Sequence, residues 1–322
     1  MKRIIPILTI LFASMLLSGC AENGDNANGE KNGNGANVTI KFGVLPIEDT
    51  FPIYVAKEEG LFAKQGVDVE VNKFQSAMER DSALTADEVD GVVTDPLAVI
   101  LHRNSGYDFK IVSIGLGMKP EGGVFAILAN AQSNITSVED LEGKKVGISS
   151  NTIIEYVTDR MLAKENVEVK KEGIKSIPLR LQMLTNNNID AATLPEPLAS
   201  LAAHQGANLI ISDADMNDSI SQTVIVFDQE FIDENPGAVE NFLQAYGEAV
   251  EKVNSNPDKY RELFIEKARV PDPLTETYRI PHYPQPQTYP KEFYQEVNEW
   301  AEKEGLIKKG IPYGEAVYDR GT

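Results

Sequence analysis

From residue 38 onward the chain alternates between segments with a strand-like and segments with a helix-like spacing of apolar positions. Alternating or continuous apolar runs rich in β-branched residues predict strands, and apolar positions three or four residues apart predict helices. Strand and helix follow one another with short connections, which is typical of a mostly parallel sheet covered by helices on both faces. In the first part of the chain the pattern predicts strands at residues 38–45, 67–71, 91–94 and 110–114, and helices at 52–65 (interrupted at Gly60), 77–84 and 96–103.

A second series of the same kind occupies residues 145–212. Before it, Ser137 and Asp140 have the spacing of a helix capping box, which predicts a short helix ending at Gly143. A tail then carries an amphipathic helix at 239–253, a proline-rich stretch at 270–290 and a last helix near 292–304. Within the second series the predicted strands are residues 145–148, 170–177, 190–194 and 208–212, and the predicted helices are 152–164, 179–186 and 197–204.

Two further apolar strands, residues 124–128 and 223–227, flank the second series. We assign both to the first sheet, so that the chain leaves this sheet once and returns once. The predicted fold is α/β with two lobes joined by two hinge crossings. Residues 38–128 and 221–322 form the first lobe, and residues 129–220 form the second. Such a clamshell has its cleft where the carboxyl ends of both sets of strands meet.

Composition excludes several function classes. The 322 residues are 42% hydrophobic and 25% charged, as expected for a globular protein. A formal net charge of −19 opposes binding to nucleic acid. With one cysteine and three histidines the chain has no cluster of ligands typical of a metal site, and we predict neither a metal nor a cofactor.

The N-terminus has the pattern of an export signal. Lys2 and Arg3 precede an apolar stretch at residues 4–17, followed by LSGC at 17–20. This ending resembles the lipobox of bacterial lipoproteins, which implies a signal peptide at residues 1–19 and a lipid on the sulfur of Cys20. The alternative is an ordinary signal peptide with a coincidental cysteine. Residues 20–37 are poor in apolar side chains, and we expect a flexible tether that leaves the domain outside the cell membrane.

Three segments resemble the SsuA/THI5-like (NMT1-like) solute-binding proteins of bacterial ABC importers: YVAKEEGLFAKQGVDVE at 54–70, DLEGKKVGIS at 140–149 and DAATLPEP at 190–197. The resemblance implies a type II periplasmic-binding fold and delivery of a small ligand to an ABC permease. Members of the family bind sulfonates, nitrate, bicarbonate, pyrimidines and other heterocycles. In nitrate- and sulfonate-type members a tryptophan tends to precede the acidic-proline pair, whereas Leu194 and Pro195 stand here, and the cysteine-rich motif of the pyrimidine synthase branch is absent.

In the first lobe the candidate ligand contacts are polar and aromatic side chains that follow strand ends. Loops there meet the N-termini of the next helices, whose free N–H groups favour an acceptor or anion. A cap is the alternative role for the polar candidates, with Thr50 or Asp49 capping the helix at Pro52, and packing in the core is the alternative for the aromatic ones. The candidates are Thr50, Phe51, Tyr54, Ser76, Met78, Thr94 and Asp95.

In the second lobe Ser149, Ser150, Asn151 and Thr152 lie between a strand and a helix and form the strongest acceptor- or anion-binding candidate. Ordinary loop chemistry is the alternative. Glu196 lies between two prolines, which restrict its direction. It either points at the ligand or only favours the helix that begins at Pro197.

Carboxylates outnumber basic side chains in these loops, and a dedicated oxyanion site more often contains an arginine. We therefore expect a neutral or weakly cationic small ligand, with heterocycles among the candidates. Nothing indicates catalysis, because His102, His204 and His282 have no nucleophile or ligand spacing around them. The alternatives are an enzyme of the same fold, as in the pyrimidine or menaquinone pathways, and a ligand-sensing lipoprotein. We expect a monomer, since nothing in the sequence calls for a second copy.

Overall fold

The computed structural model describes residues 38–320. The expected signal peptide, the tether and Cys20 lie outside these residues. Ten strands are present in the described part of the chain: β1 Val38–Val44, β2 Val67–Lys73, β3 Gly91–Thr94, β4 Phe109–Ile114, β5 Phe125–Ala129, β6 Lys145–Ile148, β7 Lys170–Gly173, β8 Ala191–Pro195, β9 Asn208–Ser212 and β10 Val224–Asp228.

The described helices cover the strand layers, as the strand–helix alternation predicts. None of them is long and apolar enough to cross a membrane. Their bounds are α1 Phe51–Glu58, α2 Leu61–Lys64, α3 Ala77–Thr85, α4 Pro96–Asn104, α5 Ile153–Leu162, α6 Ile177–Thr185, α7 Leu198–His204, α8 Gln229–Glu234, α9 Pro236–Ser255, α10 Arg261–Lys267, α11 Lys291–Lys303 and α12 Tyr313–Ala316.

The strands form two five-stranded sheets of the same design. Sheet A has the order β2-β1-β3-β10-β4, and sheet B has the order β7-β6-β8-β5-β9. In each sheet the first three strands are parallel, and the fourth, β10 or β5, runs antiparallel to both of its neighbours. The fold is thus α/β, with two mixed sheets.

One strand assignment is wrong. Strand β10 joins sheet A as expected, but β5, predicted for the first sheet, lies in sheet B between β8 and β9. The Asp213 carboxylate, which follows β9, accepts hydrogen bonds from the backbone N–H groups of Val124 and Phe125 and so fixes the start of β5 in the second sheet. The first crossing between the sheets therefore lies between Ile114 and Phe125.

The two sheets repeat the same contacts about one hundred residues apart. Asp90 before β3 accepts a hydrogen bond from the backbone N–H of Lys41 at 2.7 Å, and Asp190 before β8 accepts one from that of Lys145 at 2.8 Å. Arg80 of α3 and Arg180 of α6 are both buried, and each donates to a backbone carbonyl 13 residues further along the chain. The two halves of the fold are built as a repeat.

Several predicted elements differ in detail. The short helix expected before Gly143 is a 3₁₀ turn at Glu139–Leu141, and β7 ends at Gly173, earlier than the predicted residue 177. Helices α8, α10 and α12 are absent from the sequence prediction. They are short and each buries a single residue, so they show no helical repeat of apolar positions. The proline-rich stretch at 270–290 packs on the domain, where Tyr283 and Tyr289 are fully buried.

Candidate ligand-binding site

Polar and charged side chains concentrate at the carboxyl ends of the parallel strands in both sheets. In sheet A, Glu48 and Asp49 follow β1 and Asp95 follows β3. In sheet B, Glu196 follows β8, and Asp213 follows the edge strand β9. Ligands of open α/β sheets bind at this edge. The question is whether the two edges face each other.

The carboxyl group of Glu48 bears on this point, because charged groups from both sheets shift its pKa. Its side chain is buried, and burial, opposed by a hydrogen bond from Tyr278, raises the pKa of Glu48 to about 8, with Glu196, Asp49 and Asp213 raising the pKa further by repulsion. Two of these three carboxylates belong to sheet B. The Glu196 and Asp213 carboxylates are therefore close enough to Glu48 for their charges to act on it.

Two tyrosines of the C-terminal segment hold Glu48 in place. The Tyr278 hydroxyl donates to Glu48 Oε2 at 2.5 Å, and the Tyr283 hydroxyl donates to the Glu48 backbone oxygen at 2.7 Å. The 3₁₀ turn Asp272–Leu274 in the same segment lies against α7 of the second sheet. The proline-rich segment thus forms a third wall beside the two strand edges.

Asp49 is the least satisfied carboxylate of the group. Burial raises the pKa of Asp49 to about 7, while the nearby Arg80 guanidinium lowers it and Asp95 raises it. Among the described residues, Asp49 Oδ1 has no hydrogen-bond partner. A ligand that donates a hydrogen bond or carries a positive charge would supply the missing partner.

Thr50, Phe51 and Tyr54 follow Asp49 in the fold. Thr50 occupies the N-cap position of α1 as predicted, but neither it nor Asp49 caps the helix with its side chain. The Thr50 hydroxyl instead donates to the carbonyls of Leu45 and Ile47, each at 2.9 Å, because the preceding residues form a tight 3₁₀ turn. The Phe51 ring is fully buried against Phe264.

The Tyr54 hydroxyl is buried without a hydrogen-bond partner in the described chain. Lys73 and Lys267 lie 5.4 and 5.7 Å from the centre of its ring. Tyr54 thus combines a cationic neighbourhood with a free hydroxyl, and its contact with the ligand stays a prediction.

The other candidates of the first sheet lie in or next to α3 and α4, and two of them cap these helices. Ser76 caps α3 by accepting from the Glu79 N–H, and Asp95 caps α4 by accepting from the Ala98 N–H. The Thr94 hydroxyl accepts a 2.7 Å hydrogen bond from Arg80. Met78 is 67% exposed. The caps predicted as the alternative role are thus present, and a cap at this edge can still contact a ligand.

The polar loop after β6 is folded on itself. The Thr152 hydroxyl donates to the Ser149 carbonyl at 2.7 Å and accepts from the Ile154 N–H, so it caps α5. Asn151 has a φ of 60°, and its N–H donates to the Glu155 carboxylate at 2.7 Å. Ser149 is buried and Ser150 is exposed. The N–H groups of Asn151 and Ile154 are thus used within the loop, and a ligand contact of its hydroxyls and other N–H groups stays a prediction.

Glu196 lies two residues before the next helix, α7, and contacts its first turn. Its carboxylate accepts from the Ser200 N–H at 3.1 Å and from the Ser200 hydroxyl at 3.0 Å. Burial raises the pKa of Glu196, and the Ser200 hydrogen bonds oppose the rise. Since Glu196 also raises the pKa of Glu48, it faces the opposite sheet while it caps its own helix.

Four residues of this region have no part in the sequence prediction: Arg80, Arg180, Asp213 and Tyr278. The two arginines lie inside helices and Tyr278 lies more than two hundred residues from Glu48, so loop composition alone does not point to them. The sequence does contain one signal for the two arginines. Ser76 precedes Arg80 by four positions, and Ser176 precedes Arg180 by the same spacing.

Two open surface grooves lie away from the strand edges. One, of about 780 Å³, runs along α9, and the other, of about 530 Å³, separates α5 from α11. Both are lined mainly by surface side chains, whereas the buried carboxyl groups of Glu48, Asp49 and Asp213 are at the strand edges, so we place the site there. In the described part of the chain no group of three or more His, Cys, Asp or Glu side chains is arranged to hold a metal ion.

Comparison with known proteins fits this arrangement. The sequence model of the family described as NMT1/THI5 like matches residues 48–260, more than half of the chain. The chain belongs to the NMT1/THI5-like family. Among its relatives is a putative aliphatic sulfonates-binding protein of Bacillus subtilis, 26% identical over 272 residues, which are 82% of this chain and 77% of the relative.

Solved structures share the fold. The aliphatic sulphonate-binding protein SsuA of Escherichia coli has a TM-score of 0.73 at 18% identity, with 87% of this chain and 92% of SsuA covered. The desulfurization enzyme DSZB has a TM-score of 0.68 at 13% identity, with 88% of this chain and 97% of DSZB covered. At such low identity these similarities establish the periplasmic-binding-protein fold, which binding proteins and an enzyme have in common.

Proposed function

We propose that this protein is the extracytoplasmic substrate-binding component of an ABC importer. It captures a small organic molecule between the edges of sheets A and B and presents it to the permease. The observation that carries the proposal is the buried carboxyl group of Glu48 after β1, which is held by Tyr278 of a segment that also packs against α7 of sheet B. A ligand at this place contacts both sheets at once, as closure of a two-lobed binding protein requires.

The acidic lining favours a ligand that is neutral or weakly cationic. Amino-substituted heterocycles have N–H groups that can donate hydrogen bonds to these carboxyl groups. Burial keeps Glu48 and Asp49 partly protonated near neutral pH. They can therefore accept from a ligand N–H or, once ionised, pair with a ligand cation.

The proposal includes two lobes and a lipid anchor. Sheet A with the C-terminal segment forms one lobe and sheet B the other, and the chain acts as a monomer held at the outer face of the cell membrane by a lipid on Cys20. The export signal and the relatives named as binding proteins favour this function over a cytosolic enzyme of the same fold. A ligand-sensing lipoprotein would use the same site and differ only in its partner.

Mass spectrometry of small molecules released from the purified protein tests the function. We expect one organic compound, released unchanged in stoichiometric amount, and weaker binding of that compound by Glu48→Gln in calorimetry. Glu121→Gln, at an exposed position, serves as the control and should bind like the wild type. Chemical turnover of the bound compound, or full affinity in Glu48→Gln, would contradict the proposal.

A further inference from the structure

Arg180 of α6 is fully buried and has no anionic partner among residues 38–320. Its Nε donates to the Thr193 carbonyl at 2.8 Å and its Nη1 donates to the Ile174 carbonyl at 2.7 Å. Its Nη2 has no hydrogen-bond partner in the described chain. Burial lowers the pKa of Arg180 to about 10, and no carboxylate opposes this effect. A guanidinium at this pKa remains charged at neutral pH.

Arg80 shows what the fold supplies to the equivalent residue of the first sheet. Arg80 Nη2 lies 2.7 Å from Asp81 Oδ1 and donates to the Thr94 hydroxyl, also at 2.7 Å. At the matching positions of the second half, Leu181 replaces the aspartate and Leu194 replaces the threonine. The repeat has thus kept the buried cation and removed both of its partners. An uncompensated buried charge costs several kcal/mol, so a partner from outside the chain is expected.

The free nitrogen lies at the ligand edge of sheet B. The guanidinium connects Ile174, which follows β7, to Thr193 of β8, and β6 lies between these two strands. A Cβ atom on Gly147 of β6 would lie 3.2 Å from Arg180 Cγ, so the side chain passes directly beside that strand. Strand β6 continues into the loop that begins with Ser149. The Arg180 side chain therefore lies beside the carboxyl ends of β6 and β7, near the start of this loop.

We propose that Arg180 binds an anionic group of the ligand, a carboxylate or similar oxyanion. This inference rests on the proposed function and specifies its ligand. Asp49 Oδ1, beside sheet A, and Arg180 Nη2, beside sheet B, are buried charged atoms of opposite sign without a hydrogen-bond partner among the described residues. The ligand is an amphoteric molecule whose donor or cationic part faces Glu48 and Asp49 and whose anionic part reaches Arg180. Its two charges cancel, which agrees with a ligand that is neutral overall.

Formate is a suitable probe, because it is a small carboxylate and the test then does not depend on knowing the ligand. Potassium formate is titrated into the purified protein while the melting temperature Tm is recorded for the wild type, Leu181→Asp and Leu181→Asn. Leu181→Asp restores the partner that Arg80 has, and Leu181→Asn has the same size without the charge. We expect a Tm rise of about 2 °C at high formate for the wild type and Leu181→Asn, and a smaller rise for Leu181→Asp. Equal rises in all three proteins would overturn the proposal.

A second measurement on the wild type covers the case in which the Leu181 variants do not fold. Crystals soaked in bromide should show an anomalous peak in contact with Arg180 Nη2, and only water or protein atoms at that place would overturn the proposal. Both tests use inorganic or one-carbon anions, so their failure would leave the released-ligand experiment unaffected. Failure of that experiment would leave the anion site of Arg180 measurable.

Discussion

The hydroxyl of Tyr278 donates a 2.5 Å hydrogen bond to the carboxyl group of Glu48, which lies 230 residues earlier in the chain. This bond links the proline-rich segment to the loop after β1, where the two sheets face each other. It also lowers the pKa of Glu48, although burial raises that pKa much more. Tyr278 is therefore a partner of the most strongly perturbed carboxyl group of the site.

Removing that hydroxyl should destabilise the protein. In Tyr278→Phe the buried Glu48 loses a donor, and we expect the free energy of unfolding to fall by about 1–3 kcal/mol. Urea unfolding followed by circular dichroism measures the change. Tyr107→Phe is the matched control, since Tyr107 is 41% exposed, and a loss of the same size there would show that the Glu48 bond is not responsible.

The buried carboxyl groups should make stability fall as pH rises. Burial raises the pKa of Glu48 from 4.5 to about 8 and that of Asp49 from 3.8 to about 7. The folded protein therefore binds these protons more tightly than the unfolded chain, so the stabilisation is complete below the unfolded pKa and is lost as pH rises through the folded one. Between pH 5 and pH 8 we expect the free energy of unfolding to decrease by up to about 1.4 kcal/mol per pH unit for each group.

Glu48→Gln isolates one group in this measurement. It should flatten the dependence of unfolding free energy on pH and be more stable than the wild type at pH 8, because glutamine stays neutral. Glu121→Gln should keep the wild-type slope, since its side chain is exposed. A wild-type curve that rises from pH 5 to pH 8 would contradict the assignment of these pKa shifts.

The repeated strand–helix order was readable from sequence because each strand is short, β-branched and bounded by turn residues. Strand β5 was assigned to the wrong sheet for a definite reason. Apolar residues show that Phe125–Ala129 is buried, but its neighbours are chosen by backbone pairing with β8 and β9 and by the Asp213 carboxylate. Such contacts join distant residues and leave no local pattern.

The site was predictable only at its loops. Asp95 and Glu196 are candidates because they stand next to prolines at helix starts, a local signal. Tyr278 and Arg180 were missed because their roles depend on tertiary burial, which composition does not reveal. The scarcity of basic side chains was read from the loops alone, whereas Arg80 and Arg180 are buried in the helices behind them.

Close contact between β3 and β10 should make Gly91 intolerant of a side chain. A Cβ atom there would lie 2.7 Å from the Val226 carbonyl oxygen and 2.8 Å from the Phe227 ring. We expect Gly91→Ala to lower the free energy of unfolding by about 1–3 kcal/mol in urea titrations. Gly237 of α9 has open space around the same position, so Gly237→Ala should be neutral or stabilise by up to about 1 kcal/mol. Equal effects of the two changes would contradict the steric argument.

Glu196 should affect ligand binding more than folding. Glutamine can still accept one hydrogen bond from Ser200, so Glu196→Gln should change the free energy of unfolding by less than about 1 kcal/mol. Loss of its charge opposite Glu48 should raise the Kd for the compound released from the wild type by about tenfold or more, as measured by calorimetry. Asp228→Asn is the control, because the Asp228 carboxylate also accepts a hydrogen bond from a backbone N–H in the first turn of a helix, here α8. If both variants bind that compound like the wild type, Glu196 serves only as the cap of α7.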